Sequence, residues 1–579
     1  MKKIKIIRPL LIIVDFIIVS LLVFDFGFKL FENFRVHKIV SIFILVLTLL
    51  LFNVYRYFHQ RDRVKRLISL TYSALFTIVL VLCLFIYIFS PEYVLTDFLV
   101  TIKPFLEGAL MLYLILRLSI FMRYLYSIYF NPAIIFVGSF LIIDMVGAFL
   151  LMLPNATTNG ITFVDALFTS TSAVCVTGLA VLDTSKDFTH LGQSIILLLI
   201  QLGGLGILTF TSFFAYFFRS GSSFKENLYL QDFVSSENLK DTLNFAMKIV
   251  VFTLSIEAIG FIFIYFTVDQ IGSIKDRLFF SLFHSISAFC NAGFSTMSNG
   301  LFNTDLKFDY SFQWIIMLLI IIGGLGNNIV FNIYTYIKRR IQRFIAPHKY
   351  TPVVRIVTLN SKIVIVTTII LLLGGFVFFF FNESNNSLLA DQSWFGKITN
   401  AMFQSVTPRT AGFNTVDYAS LKTSSLLFVI LLMWIGGSPG STAGGIKTTT
   451  FALATLNIFA VARGKNKIDL GTRSVGTATL TRAFAILCIS LIIIGIAIIL
   501  LLFFEPDKNL ISIAFECFSA YCTVGLSLDL TPTLSDASKI VLAVVMFLGR
   551  IGMLNILIGL LRQVNTRFYE YPKENILIN

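Results

Sequence analysis

The sequence predicts an all-α polytopic membrane protein with four repeated helical units and additional N-terminal helices. Three observations support this fold class: the high hydrophobic content, apolar runs of membrane-spanning length, and a glycine turn that recurs four times. Hydrophobic residues make up 57% of the 579 residues, and charged residues make up 13%. A soluble protein carries roughly twice that share of charged residues, so the chain lacks the surface that a water-soluble fold needs.

Several apolar runs reach or approach the roughly 20 residues that a helix needs to cross a bilayer. The clearest of them occupy 39–58, 75–89, 133–153 and 485–504. Outer-membrane barrels show alternating segments of about 10 residues instead, so helices are predicted. The N-terminal apolar run is too long for a signal peptide and no small-residue cleavage site follows it, so we expect an uncleaved first helix.

The net charge of +14 is concentrated in short loops between apolar runs. These loops are 55–66, 337–349 and 462–467. The positive-inside rule assigns them, with both chain termini, to the cytoplasm, and this accounts for the charge without nucleic-acid binding. The six cysteines contain no C-x-x-C pair, so neither a zinc site nor a disulfide framework is predicted. No phosphate-binding loop or dinucleotide fingerprint occurs either.

A glycine turn recurs at nearly constant spacing. Its central glycines are Gly178, Gly293, Gly412 and Gly525, which are 115, 119 and 113 residues apart. Each follows an apolar segment of roughly 10–15 residues, too short to span a membrane, and precedes a second glycine cluster in a long apolar run. Each unit is therefore predicted to be a spanning helix, a re-entrant half-helix, a glycine turn and a second spanning helix. The repeats are 131–235, 236–350, 351–470 and 471–579, after extra helices in 1–130.

The composition of the turns indicates what they could bind. Non-helical backbone at membrane depth is tolerated only where protein buries it or a water-filled cavity adjoins it. A ring of backbone carbonyls can replace the hydration shell of an alkali cation, and glycine lets the strands approach one axis closely. None of the four turns contains Asp or Glu, which argues against a calcium-type ring. A central pore for a monovalent cation is predicted.

The segments "SAVCVTGL", "SVTPRTAGF" and "GGSPGSTAGGIKTTT" (436–450) resemble the membrane subunits of the Trk/Ktr/HKT superfamily of potassium transporters. The resemblance covers about residues 130 to 565 and implies potassium uptake, no enzymatic activity, and a filter built from one strand of each repeat. Gly178 stands where sodium-preferring plant relatives have serine, which favours potassium. Carried onto this sequence, the potassium-binding filter is Val176, Thr177, Gly178, Asn291, Ala292, Gly293, Thr410, Ala411, Gly412, Thr523, Val524 and Gly525.

The second helix of the third repeat is interrupted by five glycines and a proline within ten residues, which a regular helix cannot accommodate. We predict a mobile intramembrane loop rather than a passive kink, and the family uses the matching loop as its gate. Arg550 holds the corresponding place in the fourth repeat, where an arginine in an apolar helix is costly and usually functional. Our hypothesis is that it holds the loop closed through backbone carbonyls. The predicted gate is Gly436, Gly437, Ser438, Pro439, Gly440, Ser441, Thr442, Ala443, Gly444, Gly445, Lys447 and Arg550.

Other polar residues in apolar segments have open roles. Asp144 and Glu257 lie in first helices, where a polar partner is the default expectation and proton coupling is the alternative. Asp165 could cap a half-helix or attract cations at the entrance, and Glu516 lies near or within another half-helix. His284 is expected to be a packed, hydrogen-bonded residue rather than a ligand.

The residues three positions before the filter glycines are Cys175, Cys290 and Cys522, with Arg409 in the third repeat. The cysteines are expected to pack behind the filter, and Arg409 to tie the third strand to neighbouring carbonyls. The fourth N-terminal apolar segment, 99–121, does not carry the arginine at every third residue that a voltage sensor needs. Peripheral packing or dimer support is the plainer role for residues 1–130.

The resemblance further implies a homodimer in the cytoplasmic membrane, resting on a cytosolic nucleotide-binding regulatory ring docked against basic loops such as 337–349. No cofactor is expected in this chain; potassium is the substrate, and nucleotide belongs to the partner. A sodium-selective or sodium- or proton-coupled transporter is the alternative. A polytopic membrane enzyme would need converging carboxylates or histidines, which the sequence does not suggest. The residues leave open whether transport is channel-like or ion-coupled, and which nucleotide controls the partner.

Overall fold

The structure is a computed structural model of the chain. It describes residues 17–28, 35–59, 63–89, 102, 105–110, 113, 132–206, 242–268, 272–303, 306–345, 357–383, 393–465, 467–470 and 473–552. Some sequence predictions lie outside the described residues. They concern most of the fourth N-terminal segment, its basic residues and the one just after it (Lys103, Arg117 and Arg123), and the stretches 207–217 and 553–562, where the second helices of repeats one and four are expected to continue.

The described part is mostly helical, with one two-stranded hairpin and non-helical connections between the helices, which confirms the predicted all-α fold class. Before the repeats, the described residues include the helices α1 Ile17–Gly27, α2 Arg35–His59 and α3 Arg63–Phe89. Residues 105–110 of the fourth N-terminal segment are helical as well. The repeats contain α4 Pro132–Leu151, α5 Phe163–Val174, α6 His190–Leu205, α7 Thr242–Thr267, α8 Ile274–Cys290, α9 Tyr310–Leu325, α10 Asn327–Ile345, α11 Leu359–Glu383, α12 Trp394–Val406, α13 Thr423–Trp434, α14 Thr448–Ala462, α15 Thr477–Phe504, α16 Leu510–Cys522 and α17 Asp536–Ile551. The hairpin pairs Asp469–Leu470 (β1) with Arg473–Ser474 (β2) in antiparallel register, and single 3-10 turns form at Tyr418–Ser420 and Thr531–Thr533.

Among the described residues, three helices are long and apolar enough to cross a membrane by length and composition: Met247–Thr267 within α7, α11 and α15. Helices α9 and α10 pass the same test as a pair, but they meet at an angle of 100°. The sequence predicts a second spanning helix in repeat 2, and in the structure this helix is broken into two. It breaks at Gly326, whose φ of 81° and ψ of 145° are not helical and favour glycine.

Helices α5, α8, α12 and α16 occupy the predicted half-helix positions, and we call them the pore helices. They have 12, 17, 13 and 13 residues, so each is shorter than a spanning helix. Each begins with a side-chain cap that accepts a backbone N–H of the first turn, which is the preferred start of a helix. The caps are Thr162, Ser273, Ser393 and Asn509.

Three pore helices contact the first helix of their own repeat closely. In each, a serine of the pore helix lies against a glycine of the first helix. The hydroxyls of Ser170, Ser285 and Ser405 donate to the carbonyl oxygens of Asp144, Glu257 and Leu372 at 2.7, 2.6 and 2.7 Å. An added Cβ on the facing glycine would collide with the serine hydroxyl in each case. Small residues let helices in a membrane approach closely enough for such hydrogen bonds. The facing glycines are Gly147, Gly260 and Gly375.

The N-terminal helices have a separate apolar core that includes Ile18, Val46 and Phe76. They join the repeats at the end of α1, where the backbone N–H of Asn155 donates to the carbonyl of Gly27 at 3.0 Å. The Asn155 side-chain amide donates to the preceding carbonyl, of Phe26, at 2.9 Å. The first repeat is therefore tied to this bundle by two hydrogen bonds at one helix end.

Candidate functional site

The four glycine turns, far apart in sequence, meet in a closed cycle. We call 176–178, 291–293, 410–412 and 523–525 the glycine strands. A Cβ added to the glycine of any strand would collide first with the carbonyl oxygen of the middle residue of a neighbouring strand. The glycine of repeat one meets the strand of repeat two in this way, two meets three, three meets four, and four meets one. The oxygens met in this way by Gly178, Gly293, Gly412 and Gly525 belong to Ala292, Ala411, Val524 and Thr177. No side chain fits at these glycines.

The backbone of the four strands has one shared conformation. The first residue of each is left-handed although it carries a side chain, with φ of 57° at Val176, 61° at Asn291, 74° at Thr410 and 49° at Thr523. The glycine two residues later is left-handed in every strand as well. Positive φ costs energy in residues other than glycine. Four such residues at matched positions indicate that the surroundings impose this conformation.

The pore helices hold the strands by their N–H groups. The N–H of each middle residue donates to the carbonyl of a serine or threonine near the end of its own pore helix, at 2.7 to 3.0 Å. Because a trans peptide places C=O and N–H on opposite sides, the carbonyl of the first strand residue points away from its own pore helix. The accepting residues are Ser172, Ser287, Thr407 and Ser519.

The hydroxyls of the same residues extend this anchoring. Ser172 and Ser519 accept from the N–H of Gly178 and Gly525 at 3.0 and 3.1 Å. Ser287 and Thr407 instead donate to the carbonyls after their glycines, at 2.8 and 2.6 Å. Sequence reasoning gave these four residues no role. The sequence does contain a pattern that could have predicted them: a serine or threonine lies five or six positions before each strand glycine.

The loop 435–447 interrupts the second helix of the third repeat, between α13 and α14. Two backbone hydrogen bonds close it on itself, from Gly436 N–H to the Ile446 carbonyl at 2.9 Å and from Thr448 N–H to the Gly437 carbonyl at 3.0 Å. An added Cβ on Gly444 would collide with the side chain of Thr523. The loop therefore lies directly against the first residue of the fourth glycine strand.

The same loop is bonded to the second repeat. The N–H of Ser438 donates to the carbonyl of Gly324 at 3.0 Å, and its hydroxyl donates to the carbonyl of Leu325. Asn327 returns a hydrogen bond from its N–H to the Gly440 carbonyl at 3.2 Å. These groups become available because α9 ends there, so the break at Gly326 provides the place where the loop docks.

Arg550, at the end of α17, joins the loop to the first repeat. Its guanidinium donates to the carbonyl of Thr442 in the loop and, at 2.7 Å, to the carbonyl of Gly203 in α6. The corresponding residues in repeats one and two are Gly204 and Gly324, where a long side chain is absent. One side chain thus connects three of the four repeats beside the glycine strands.

Comparison with known proteins places the chain in a family. The model of the TrkH family, described as cation transport protein, matches residues 124–566. The chain belongs to the TrkH family. It is 36% identical to the Ktr system potassium uptake protein B of Bacillus subtilis over 76% of this chain and 95% of that one. It is 34% identical to the potassium/sodium uptake protein NtpJ of Enterococcus hirae over 77% and 97%. The predicted superfamily is confirmed, and the family is one of transport proteins, not enzymes.

The fold agrees with a solved TrkH structure. The crystal structure of the potassium transporter TrkH from Vibrio parahaemolyticus aligns with a TM-score of 0.59, covering 90% of this chain and 98% of that one at 18% identity. At this identity the likeness concerns the fold alone. Together with the apolar helices it makes the chain a membrane protein. Most of residues 1–130 precede the part matched by the TrkH family model.

In this TrkH-family chain, three of the four pore helices carry a polar side chain that is hydrogen-bonded to the segment after its glycine strand. His284 bonds Ser295 through Nε2 and the Phe280 carbonyl through Nδ1, both at 2.9 Å. Gln404 donates to Thr415 at 3.1 Å. Glu516, which is fully buried, accepts from the hydroxyls of Ser527 and Thr531 and from the N–H of Leu528. These side chains connect the pore helix with the chain that leaves the strand, and His284 is hydrogen-bonded as expected.

Further charged side chains are also engaged. Asp165 is not the cap of α5, which is Thr162. It forms an ion pair at 2.7 Å with Lys539 of α17, 374 residues away, so it does not present a free negative charge at an entrance. Asp144 accepts from Thr171 at 2.7 Å, and Glu257 accepts from Gln201 at 3.1 Å. Both carboxyls thus have the polar partners expected by default.

The residues three positions before the strand glycines are buried. Cys290 contacts the Glu257 carboxyl at 3.8 Å. Arg409 donates to the Gly436 carbonyl at 3.2 Å, which connects the third strand to the start of the loop. Lys447, at the other end of the loop, donates to the Ala443 carbonyl at 2.6 Å. Cationic side chains therefore hold the carbonyl of Gly436 at the start of the loop and the adjacent carbonyls of Thr442 and Ala443 further along it.

Proposed function

We propose that this TrkH-family chain takes up potassium through a filter formed by the carbonyl oxygens of the four glycine strands. The closed cycle of the strand glycines is the observation that carries this proposal. Carbonyl oxygens in such a ring replace the hydration shell of a monovalent cation. The names of the relatives from Bacillus subtilis and Enterococcus hirae support potassium as the ion.

The membrane potential is the driving force in this proposal. One elementary charge crossing about 100 mV gains about 2.3 kcal/mol, which accumulates a cation many-fold without a nucleotide in this chain. Neutral carbonyls bind weakly enough for rapid release, because no carboxylate adds its charge at the strands.

The loop 435–447 is the gate in this proposal. Its hydrogen bonds to the end of α9 and to Arg550 keep it under the strands, where it obstructs passage to the cytoplasm. Arg550 adds a positive charge on the path, which repels a cation while the loop is closed. Opening requires the loop to leave these carbonyls, and several glycines give it the freedom to do so.

Regulation is assigned to partners outside this chain. We include a homodimer in the cytoplasmic membrane, with both termini in the cytoplasm, and a cytosolic nucleotide-binding ring that releases the gate. The basic segments at 337–345 and 463–467 provide positive surface on the cytoplasmic side.

Sodium is the second candidate ion, favoured by the printed name of the Enterococcus hirae relative, which includes both ions. Uptake of labelled rubidium, a potassium substitute, in cells that lack their own potassium uptake separates the two. The proposal expects growth at low external potassium, and rubidium uptake that excess potassium suppresses and excess sodium does not. Equal suppression by sodium would favour the second candidate, and no uptake with the chain present in the membrane would refute both.

A further inference from the structure

Helix α10 differs from the other helices of the repeats in its pattern of side chains. Its exposed large apolar side chains share one face by helical spacing, and we call them the apolar stripe. Phe344 and Ile345, at its end, are 90% and 75% exposed. The stripe consists of Tyr334, Ile337, Ile341, Phe344 and Ile345.

Four exposed basic residues occupy the rest of the α10 surface: Lys338, Arg339, Arg340 and Arg343. At 100° per residue, Lys338 and Arg340 lie at the two edges of the apolar stripe. Arg339 and Arg343 lie on the opposite side. Apolar residues on one face, with basic residues at its edges and behind it, are the arrangement of a helix that lies in a membrane interface.

The direction and depth of α10 agree with such a position. Helix α9 has 16 residues, and at about 1.5 Å per residue it descends about 24 Å. The hydrocarbon core is about 30 Å thick, so the break at Gly326 falls about 6 Å before its inner edge. The 100° bend then directs α10 along the membrane plane. Interfacial helices bury their apolar face to a depth of about 5–10 Å.

The base of α10 is also part of the docking place of the loop. The carbonyls of Gly324 and Leu325 accept from Ser438, and the N–H of Asn327 donates to Gly440. Asn332, one turn into α10, accepts from the N–H of Thr358 at 3.2 Å before α11. A displacement of α10 would therefore move the groups that hold the loop.

We propose that α10 binds the cytoplasmic leaflet, with the apolar stripe among the acyl chains and Lys338 and Arg340 on anionic phospholipid headgroups, and that this contact holds the docking place of the loop 435–447. Long basic side chains at the edge of an apolar face reach the headgroups while their stems stay in contact with apolar groups. The effect on transport rests on the proposed function. The position of α10 in the leaflet does not.

The position is tested by tryptophan fluorescence of the full-length chain in vesicles whose lipids carry bromine on the acyl chains. Phe344→Trp adds a reporter to the stripe, and Thr335→Trp adds one to the polar side. We expect added fluorescence that bromine quenches at position 344 and much less at position 335. No quenching at 344 would overturn the proposal and assign the stripe to a protein, either a second copy or a cytosolic subunit.

The link to the gate is tested by rubidium flux in vesicles of phosphatidylcholine with increasing phosphatidylglycerol. Each basic residue near an anionic surface strengthens binding about fivefold. We expect Lys338→Gln with Arg340→Gln to remove the dependence of flux on phosphatidylglycerol, and the matched pair Arg339→Gln with Arg343→Gln to retain it. Equal effects of both pairs would overturn the orientation. Quenching at 344 without flux in any vesicle would refute the proposed function and leave the leaflet contact supported.

Discussion

The guanidinium of Arg550 donates to the backbone carbonyl of Thr442, 108 residues earlier in the chain. Its second hydrogen bond goes to Gly203 in the first repeat, so the loop 435–447 is held by a charge that belongs to another repeat. A hydrogen bond from a charged donor stabilises by about 1.5–3 kcal/mol. If the loop is the gate, as proposed, this contact alone is strong enough to shift the equilibrium between its closed and open states.

Replacing Arg550 by alanine is expected to raise cation flux in the absence of any partner. The variant removes one charge-assisted hydrogen bond from the loop, which favours the open state by about tenfold or more. It also removes the positive charge that repels cations on the path. The measurement is rubidium uptake into vesicles containing the purified chain. Arg550→Lys is the control: it keeps the charge but lacks the planar fork that reaches two carbonyls, so an intermediate flux is expected. Unchanged flux in Arg550→Ala would refute the gating role.

The strand glycines are expected to reject even a methyl group. Gly412→Ala places a Cβ against the Val524 carbonyl oxygen and strains a residue with φ of 79°, so rubidium flux should fall to background. Gly495→Ala is the matched control, because nothing lies within 4 Å of its added Cβ in the middle of α15. There alanine improves helix propensity by up to about 1 kcal/mol. Normal flux in Gly412→Ala would contradict the role of the cycle.

Glu516 is expected to preserve ion selectivity from behind the fourth strand. Glu516→Ala leaves the donors of Ser527, Leu528 and Thr531 without their acceptor, at about 1–3 kcal/mol for each buried group. Glu516→Gln retains one accepting oxygen and should lie between the alanine variant and the parent. The measurement is the ratio of rubidium to sodium flux, with thermal unfolding in parallel. A lower unfolding temperature at an unchanged ratio would restrict Glu516 to stability.

The ion pair of Lys539 with Asp165 is expected to stabilise the contact between the fourth and the first repeat. Lys539→Met leaves a mostly buried carboxylate without its partner, which costs about 3–5 kcal/mol, and the unfolding temperature in detergent should drop. Adding Asp165→Asn to the same chain removes the unpaired charge and should restore most of the loss. Additive destabilisation in the double variant would show that the pair is not coupled.

Much of the architecture could be predicted because it depends on local pattern. Apolar runs predicted the helices, and the glycine-rich run at 436–445 predicted the loop. The constant spacing of the turns placed Gly178, Gly293, Gly412 and Gly525 at equivalent positions of the four repeats. Each of these features depends on composition and distance along the chain, which the sequence states directly. The serine and threonine anchors were missed because a hydroxyl near a helix end has many ordinary roles, and only the observed hydrogen bonds distinguish this one.

The sequence by itself determined the membrane class, the family, the four turns and the break in the third repeat, since these follow from residue type and interval. Only the tertiary structure decided which repeat contacts which, that Asp165 pairs with Lys539, and that Arg550 reaches both Thr442 and Gly203. It also decided that the second repeat bends at Gly326, which a glycine in an apolar run does not reveal. The physical reason is that partners hundreds of residues apart are selected by packing among helices, and local patterns contain no information about that choice.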